Sequence, residues 1–266
     1  MQNPLRTYTK TNPEREIKPS AIGKRMETVE GSHSGDISTP VRYQKGEGKQ
    51  LPKSFWIIIS GGEKRERTYF NILLKGDSFK KIKLDFIADK NRLNPDGMLE
   101  TAIELKERFT SSAADNVEPD RFYMISDVDH FYNDLVRIAP ICEAENFNLI
   151  ISNSCFEVWL YYAYFNVIPA FPIPTNYLKI SWKFKGWLHG VVPGGVQTNK
   201  AILNIRQNIS NAKVQFELDD NNIPKLFSTS MYKLAEDLLP FIDMEINQMI
   251  EVLKENERKG KQGIKG

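Results

Sequence analysis

The chain has 266 residues, of which 41% are hydrophobic, and this is enough apolar material for one sizeable core with a small accessory lobe. Its formal net charge of +2 is too small to indicate a nucleic-acid-binding protein by charge alone, so any basic surface must be local. No apolar run approaches the roughly 18 to 20 residues of a membrane span and no signal pattern opens the chain, so we expect a cytoplasmic protein without a membrane partner.

The first 50 residues are rich in Pro, Gly, Ser, Thr and Lys and show no sustained period of 2 or 3.6. Few aliphatic residues interrupt this composition, so the segment buries too little apolar surface to offset the entropy lost on ordering. We predict an extended or disordered arm over residues 1–50.

The composition changes at residues 55–59, a run of aromatic and β-branched residues that ends in a Ser-Gly-Gly turn. This pattern is typical of a strand buried on both faces. From Glu63 the apolar residues recur at helical spacing until Gly76, which ends the helix. A strand at 81–88 and a helix at 97–109 are predicted next, so the order is already β-α-β-α.

A third predicted strand, residues 121–126, leads directly into Asp127 and Asp129, and after another helix the fourth covers 147–151. Strands that alternate with helices predict an α/β fold with a mostly parallel, Rossmann-like sheet and flanking helices, because parallel neighbours need crossover connections. Ligands lie beyond the carboxyl ends of such strands, so we expect Glu63 and the aspartate pair on the same rim.

The part of the chain beyond the sheet predicts a helical C-terminal extension. Residues 155–162 are typical of a buried helix, and 169–195, which has no clear period, predicts a long structured loop. Helical spacing resumes at 200–209 and from 231 to about 254, and a frayed basic tail follows. We divide the chain into an arm (1–50), an α/β core (53–168), a helical and loop extension (169–256) and a basic tail (257–266).

An acidic group at the predicted rim is the main candidate for chemistry. Carboxylates one residue apart on a strand point to the same side, so Asp127 and Asp129 can share one cation or bracket two. Glu63 can complete the metal site or act as a general base on water. Oxygen ligands favour Mg²⁺ (or Mn²⁺) over zinc. Alternatively, the aspartates cap the following helix and have a structural role only.

Three segments resemble motifs of the RloB-like family. Residues 60–64 with 68–70 resemble its EGEK…YF signature, 126–129 match its second acidic motif, and 153–160 are similar to its NPCFE segment followed by Trp-Leu. The resemblance extends over about residues 53–250. It implies a TOPRIM-like sheet, dependence on Mg²⁺ and nucleic-acid substrates, DNA or RNA. It also implies an effector role in bacterial anti-phage loci, often with an ABC-type or AAA-type ATPase partner.

Gly61 departs from the family pattern, because it stands where the signature has its first glutamate. Either Glu63 or Glu66 supplies the missing carboxylate, since each lies within about one helical turn of the strand end. Alternatively, the domain binds nucleic acid or a partner without cutting. A Mg²⁺-dependent endonuclease is therefore our leading hypothesis, and a catalytically weakened binding or regulatory subunit is the alternative.

Further candidates surround this group. Lys64 can balance a phosphate during catalysis, although an exposed helix charge is an alternative. Glu157 lies in an aromatic helix where an unpaired carboxylate is costly, so we expect a metal, arginine or backbone partner, with structural and catalytic roles equally open. His130 is either a surface residue or an acid acting on the leaving group. Asn153 is predicted to cap the helix that follows.

Residues 182–189 alternate aromatic and basic side chains. Such a stretch can stack on bases while it neutralises phosphates, which makes it a candidate nucleic-acid interface. A strand with its aromatic residues in the core explains the same alternation. The predicted nucleic-acid-binding residues are Lys64, Trp182, Lys183, Lys185 and Trp187.

Overall fold

The computed structural model describes residues 55–60, 65–71, 82–87, 89–110, 121–176 and 179–263. All of these belong to one compact unit, Lys49–Gly266. The predicted arm therefore lies outside the described residues, as do Gly61, Glu63 and Lys64.

Four strands form a sheet in which every pairing is parallel. They are β1 (Phe55–Ser60), β2 (Ile82–Ile87), β3 (Arg121–Asp127) and β4 (Phe147–Ser152), in the order β2-β1-β3-β4. Phe55 pairs with both Ile82 and Arg121, and Asp127 pairs with Ser152, so the strands start level and their carboxyl ends share one edge. The predicted parallel α/β sheet is confirmed.

Helices cover both faces of this sheet, as predicted. They are α1 (Arg65–Phe70), α2 (Pro95–Thr110), α3 (Tyr132–Ala144), α4 (Glu157–Tyr162), α5 (Ile180–Val191), α6 (Thr198–Ala201), α7 (Ile205–Val214) and α8 (Met231–Gly263). Short 3₁₀ turns occupy Lys90–Arg92 and Ile202–Asn204. No helix in these described ranges is long and apolar enough to cross a membrane.

The two faces bury separate clusters, because successive residues of a strand point to opposite sides. Ile58 and Met124 pack with α2 and α3 on one side. Ile57 and Tyr123 pack on the other with the aromatic helix α4 and with α5, α7 and α8. Cys142 lies in the first cluster and Cys155 in the second, and both thiols are free and buried.

The loop predicted for residues 169–195 is wrong in its second half, where α5 lies. Ile180, Phe184 and Leu188 are buried and follow one another at a spacing of four residues, which is helical rather than strand-like. The strand interpretation of residues 182–189 is wrong for the same reason. Two glycines within the helix, at positions where helix propensity is poor, hid this periodicity from sequence analysis.

The frayed end expected from Lys254 is also wrong up to Gly263, because α8 continues to that residue. Ion pairs one turn apart support the extension, with Lys254 bonded to Glu251 and Lys259 to Glu255, both at 2.7 Å. Such pairs stabilise an exposed helix by a few tenths of a kcal/mol each, about 0.3–0.5.

Candidate active site

Three carboxylates follow three adjacent strands of the sheet. Glu66 lies in the first turn of α1 after β1, Asp127 ends β3, and Glu157 begins α4 after β4. Because β1, β3 and β4 are parallel neighbours, these positions meet at the carboxyl edge, where α/β sheets bind their ligands. The structure thus brings together two predicted catalytic residues and one predicted metal ligand.

The three acids interact electrostatically. Burial raises the pKa of Asp127 well above its ordinary value, and the negative charges of Glu66 and Glu157 add to this rise. Burial also raises the pKa of Glu66, again with a contribution from Glu157. Like charges in a poorly solvated place disfavour ionisation, so this edge favours a bound cation or proton.

Glu157 is the most enclosed of the three, with 5% of its surface exposed. Its Oε2 is buried and accepts no hydrogen bond from the described residues, although it forms an ion pair with Lys185 Nζ at 3.6 Å. An unsatisfied buried acceptor costs about 1–3 kcal/mol. The partner that sequence analysis sought among metals, arginines and backbone amides is therefore a lysine, at longer than hydrogen-bond distance.

Lys185 projects from α5 towards the acids. Burial by itself would lower the pKa of this ammonium group, but the charges of Glu157, Asp127 and Glu66 raise it above its ordinary value. Lys185 therefore stays protonated and acts as the counter-charge of the cluster. Burial and Glu157 raise the pKa of the Cys155 thiol well above normal, so this cysteine is unreactive.

Asp129 occupies a different position from the one expected. β3 ends at Asp127, and Asp129 lies in the following turn with φ at 31°, so the argument from strand alternation is wrong for it. Its Oδ1 accepts a hydrogen bond from Ser181 Oγ at 3.2 Å, and its Oδ2 lies 3.4 Å from Nδ1 of the exposed His130. Phe131 occupies the N-cap of α3 without a side-chain bond, so the capping alternative is wrong as well.

Of the three residues predicted to bind metal, the structure describes Asp127 and Asp129, and Glu63 lies outside the described residues. Across the residues that the structure describes, no group of three His, Cys, Asp or Glu side chains lies close enough together to hold a metal ion. Asp127 and Glu66 offer carboxylate oxygens, which are the ligands that a hard cation such as Mg²⁺ prefers, whereas Oε2 of Glu157 pairs with Lys185. A complete ligand set needs a further group, and Glu63 lies between β1 and α1 in the sequence.

The predicted nucleic-acid-binding residues separate on α5. Trp182 and Lys183 are exposed, the former by 73%. Trp187 is partly buried and packs against Phe171, Phe184 and Tyr161, with ring centroids 5.6 to 6.2 Å apart. The structure therefore gives Trp187 a core contact, while Trp182 and Lys183 face outwards.

Asn153 does not cap α4, contrary to prediction. Its Nδ2 donates to the Pro224 carbonyl at 2.7 Å, and the N-cap of α4 is Phe156, which makes no side-chain cap bond. The backbone of Asn153 also bonds to Ser228 and Phe227. The residue therefore ties the end of β4 to the segment that precedes α8.

Sequence analysis missed Ser181 and the central position of Lys185. Their spacing of four residues would have predicted one shared helical face if α5 had been recognised. It also missed a cavity of about 650 Å³, the wall of which includes Asp129, Ser181 and Asp219. The cavity lies beside the acidic edge, a name we give to the carboxyl edge of the sheet with Glu66, Asp127 and Glu157. Nothing local in the sequence joins residues that lie so far apart along the chain.

Comparison with known proteins places the chain in a family. The family model described as RloB-like protein matches residues 56–238, which include Glu66, Asp127, Glu157 and Lys185. No curated protein and no solved structure matches the chain significantly. The matched residues make up more than half of the sequence. The chain therefore belongs to the RloB-like protein family.

Proposed function

We propose that this chain is a Mg²⁺-dependent or Mn²⁺-dependent endonuclease, of TOPRIM type, that hydrolyses phosphodiester bonds in DNA or RNA. One observation carries the proposal: among the described residues, Glu66, Asp127 and Glu157 interact electrostatically with one another and with Lys185 at the carboxyl edge of a parallel sheet. Among the described residues, the positive charges of Lys185 and Arg65 do not fully balance these three carboxylates. A divalent cation held by oxygen ligands would restore the balance and supply the chemistry of phosphodiester cleavage.

In this proposal Asp127 and Glu66 would hold the cation, and Glu63 remains the predicted further ligand. The bound cation would lower the pKa of a water molecule and polarise the phosphoryl oxygens. Asp129 stays a predicted ligand from the adjoining turn.

Lys185 would act on the phosphate rather than on the water. Its raised pKa keeps it protonated, so it can pair with a phosphate oxygen and stabilise the negative charge that develops during cleavage. Glu157, at 3.6 Å, would position the ammonium group for this contact. Substituting Lys185 should therefore affect the chemical step more than the binding of metal.

The biological setting is proposed from family membership alone. We infer that the nuclease serves as the effector of a bacterial anti-phage system and works with an ABC-type or AAA-type ATPase.

A second candidate function is a binding or regulatory subunit that does not cut. Two features favour it: Gly61 stands where the family signature has a glutamate, and Lys185 already offsets part of the negative charge of the acids. In that case the edge would bind nucleic acid or the ATPase without a catalytic metal.

A nuclease assay separates these functions. Plasmid, single-stranded DNA and tRNA are incubated with the chain in Mg²⁺, Mn²⁺ or EDTA, with and without an ATPase encoded beside it. We expect cation-dependent cleavage that Asp127→Asn reduces by at least about 10²-fold, as for loss of one charge-stabilising group. The matched control Glu100→Gln, which alters an exposed carboxylate of α2, should cleave normally. Cleavage that survives Asp127→Asn contradicts the proposal.

A further inference from the structure

Helix α5 and its N-cap residue expose a strip of aromatic and basic character, which we define as Lys179, Trp182, Lys183, Gly186 and Gly190. Among the described residues, Trp182 is the one exposed Trp, Tyr or Phe, with 73% of its surface accessible. Aromatic residues are enriched at interaction sites relative to the rest of the protein surface. Lys179 and Lys183 flank it, and both are exposed.

The charges of the strip are unbalanced. Residues 179–191 contain no aspartate or glutamate. Within the described part of the chain, neither Lys179 nor Lys183 forms an ion pair, in contrast to Lys185, which pairs with Glu157. Two free ammonium groups beside an exposed indole are complementary to a polyanion that carries flat, stackable groups.

The glycines of the strip have no packing role. A Cβ atom added at Gly186 or Gly190 would meet nothing within 4 Å, and both glycines lie inside a helix, where alanine is the more stable residue. Gly186 comes one helical turn after Trp182. Its missing side chain leaves bare backbone beside the indole, so a planar ligand can lie flat against the ring.

The strip borders the acidic edge. On the same helix, Ser181 bonds to Asp129 at 3.2 Å and Lys185 pairs with Glu157 at 3.6 Å. Each residue turns a helix by about 100°, so Trp182 lies about 60° around α5 from Lys185. A nucleic-acid strand that runs from the carboxylates across α5 would therefore reach the indole of Trp182 within a few nucleotides.

We propose that this strip binds single-stranded nucleic acid, with one unpaired base stacked on Trp182 and the adjoining phosphates paired with Lys179 and Lys183. The assignment rests on the proposed nuclease function and narrows its substrate to unpaired segments. In a duplex each base is stacked between its neighbours and offers no free face, so duplex DNA fits the strip poorly.

Binding is measured with the full chain in EDTA, which separates it from metal-dependent cleavage. Fluorescence anisotropy compares a labelled 12-nucleotide oligothymidine with the same strand paired to oligoadenosine. We expect tighter binding of the single strand, and Trp182→Ala should weaken it by about 5- to 150-fold, the usual effect of losing one stacked base. Trp182→Phe should retain most of the affinity. Val191→Ala, at the exposed end of the same helix, is the matched control.

Gly186→Ala gives a sharper test. The added methyl group should raise the melting temperature because it favours the helix, yet weaken single-strand binding because it occupies the flat surface. Lys183→Ala should also reduce the salt dependence of binding by about 0.7 in the slope of log K against log salt, as expected for one lost phosphate contact. Lys259→Ala removes an equal charge from α8 and should leave the slope unchanged.

Three results would contradict the proposal that the strip binds single-stranded nucleic acid. They are equal affinity of Trp182→Ala and the parent for the single strand, equal affinity of the parent for strand and duplex, or binding to anionic phosphatidylserine vesicles without binding to the oligonucleotide. Failure of the nuclease function has a different signature: the single strand binds through Trp182, but no cleavage occurs in Mg²⁺ or Mn²⁺. If cleavage is lost in Asp127→Asn but unchanged in Trp182→Ala, the proposed role of the strip is rejected and the proposed nuclease function stands.

Discussion

Asp219 and Asp127 are two aspartates of the same fold with opposite surroundings. Asp219 accepts hydrogen bonds from the Tyr132 hydroxyl at 2.6 Å and from the Asn221 and Ile223 amides at 2.9 and 3.0 Å. Burial opposes its ionisation, but these bonds lower its pKa. The pKa of Asp127 is instead raised, by burial and by neighbouring acids.

This difference separates structural acids from candidate functional ones. A carboxylate whose donors come from its own loop and from a neighbouring helix stabilises that packing, and it has little capacity left for a ligand. A carboxylate held among other carboxylates destabilises the fold when ionised, so its retention points to a ligand or a reaction. Asp219 is of the first kind and Asp127 of the second.

The largest predicted effect is the separation of activity from stability at Asp127. Asp127→Asn should reduce the proposed cleavage by at least about 10²-fold. Its melting temperature in EDTA at pH 8 should equal or exceed that of the parent, because the substitution removes a charge that burial and Glu66 disfavour. The nuclease assay measures the cleavage, and calorimetry measures the melting temperature. A clear loss of stability would show that Asp127 holds the fold together.

The reverse is expected at Asp219. Asp219→Ala leaves the Tyr132 hydroxyl and two backbone amides without their acceptor, which should lower the free energy of unfolding by about 1 kcal/mol, because water can replace part of the lost bonding. Activity per folded molecule should persist. Urea unfolding measures the loss, with the exposed Asp220→Ala as control. If Asp219→Ala abolished cleavage without loss of stability, the cavity wall would belong to the active site.

Lys185 tests the charge balance of the acidic edge. Lys185→Met removes the counter-charge, so it should lower the free energy of unfolding by about 1–2 kcal/mol at pH 8, less than for a fully buried pair because Lys185 is 45% exposed. The loss should shrink at pH 5.5, where acids with raised pKa bind protons in the folded state. Lys183→Met on the same helix should have no such dependence.

The smallest predicted effect is the pH profile of Asp219. Its folded-state pKa lies below the ordinary value of 3.8, so its stabilising contribution is complete above that value and is lost as the pH falls through the folded pKa. The stability difference between the parent and Asp219→Asn should therefore be constant from pH 6 to 5 and decline below pH 4. A difference that grew on acidification would contradict the assignment.

Local sequence patterns determined the sheet and much of the acidic edge. Short runs rich in apolar residues predicted all four described strands, and Gly, Asp and Asn residues at their ends marked the turns. Glu66 and Asp127 were candidates because each lies near a strand end in a parallel fold, and Glu157 was a candidate because an unpaired carboxylate in an aromatic helix is costly. The family was identified from the same three segments, and the family match confirms it.

Only the tertiary structure decided which partners these residues have. Lys185 reaches Glu157 because α5 packs over the acidic edge, and neither periodicity nor motif spacing reports that approach. Asn153 bonds to Pro224 instead of capping α4, and Asp219 meets Tyr132 across 87 residues of sequence. Periodicity records which face of a helix or strand is apolar. The pairing of charges between distant segments depends on how those faces pack, and that is a property of the whole fold.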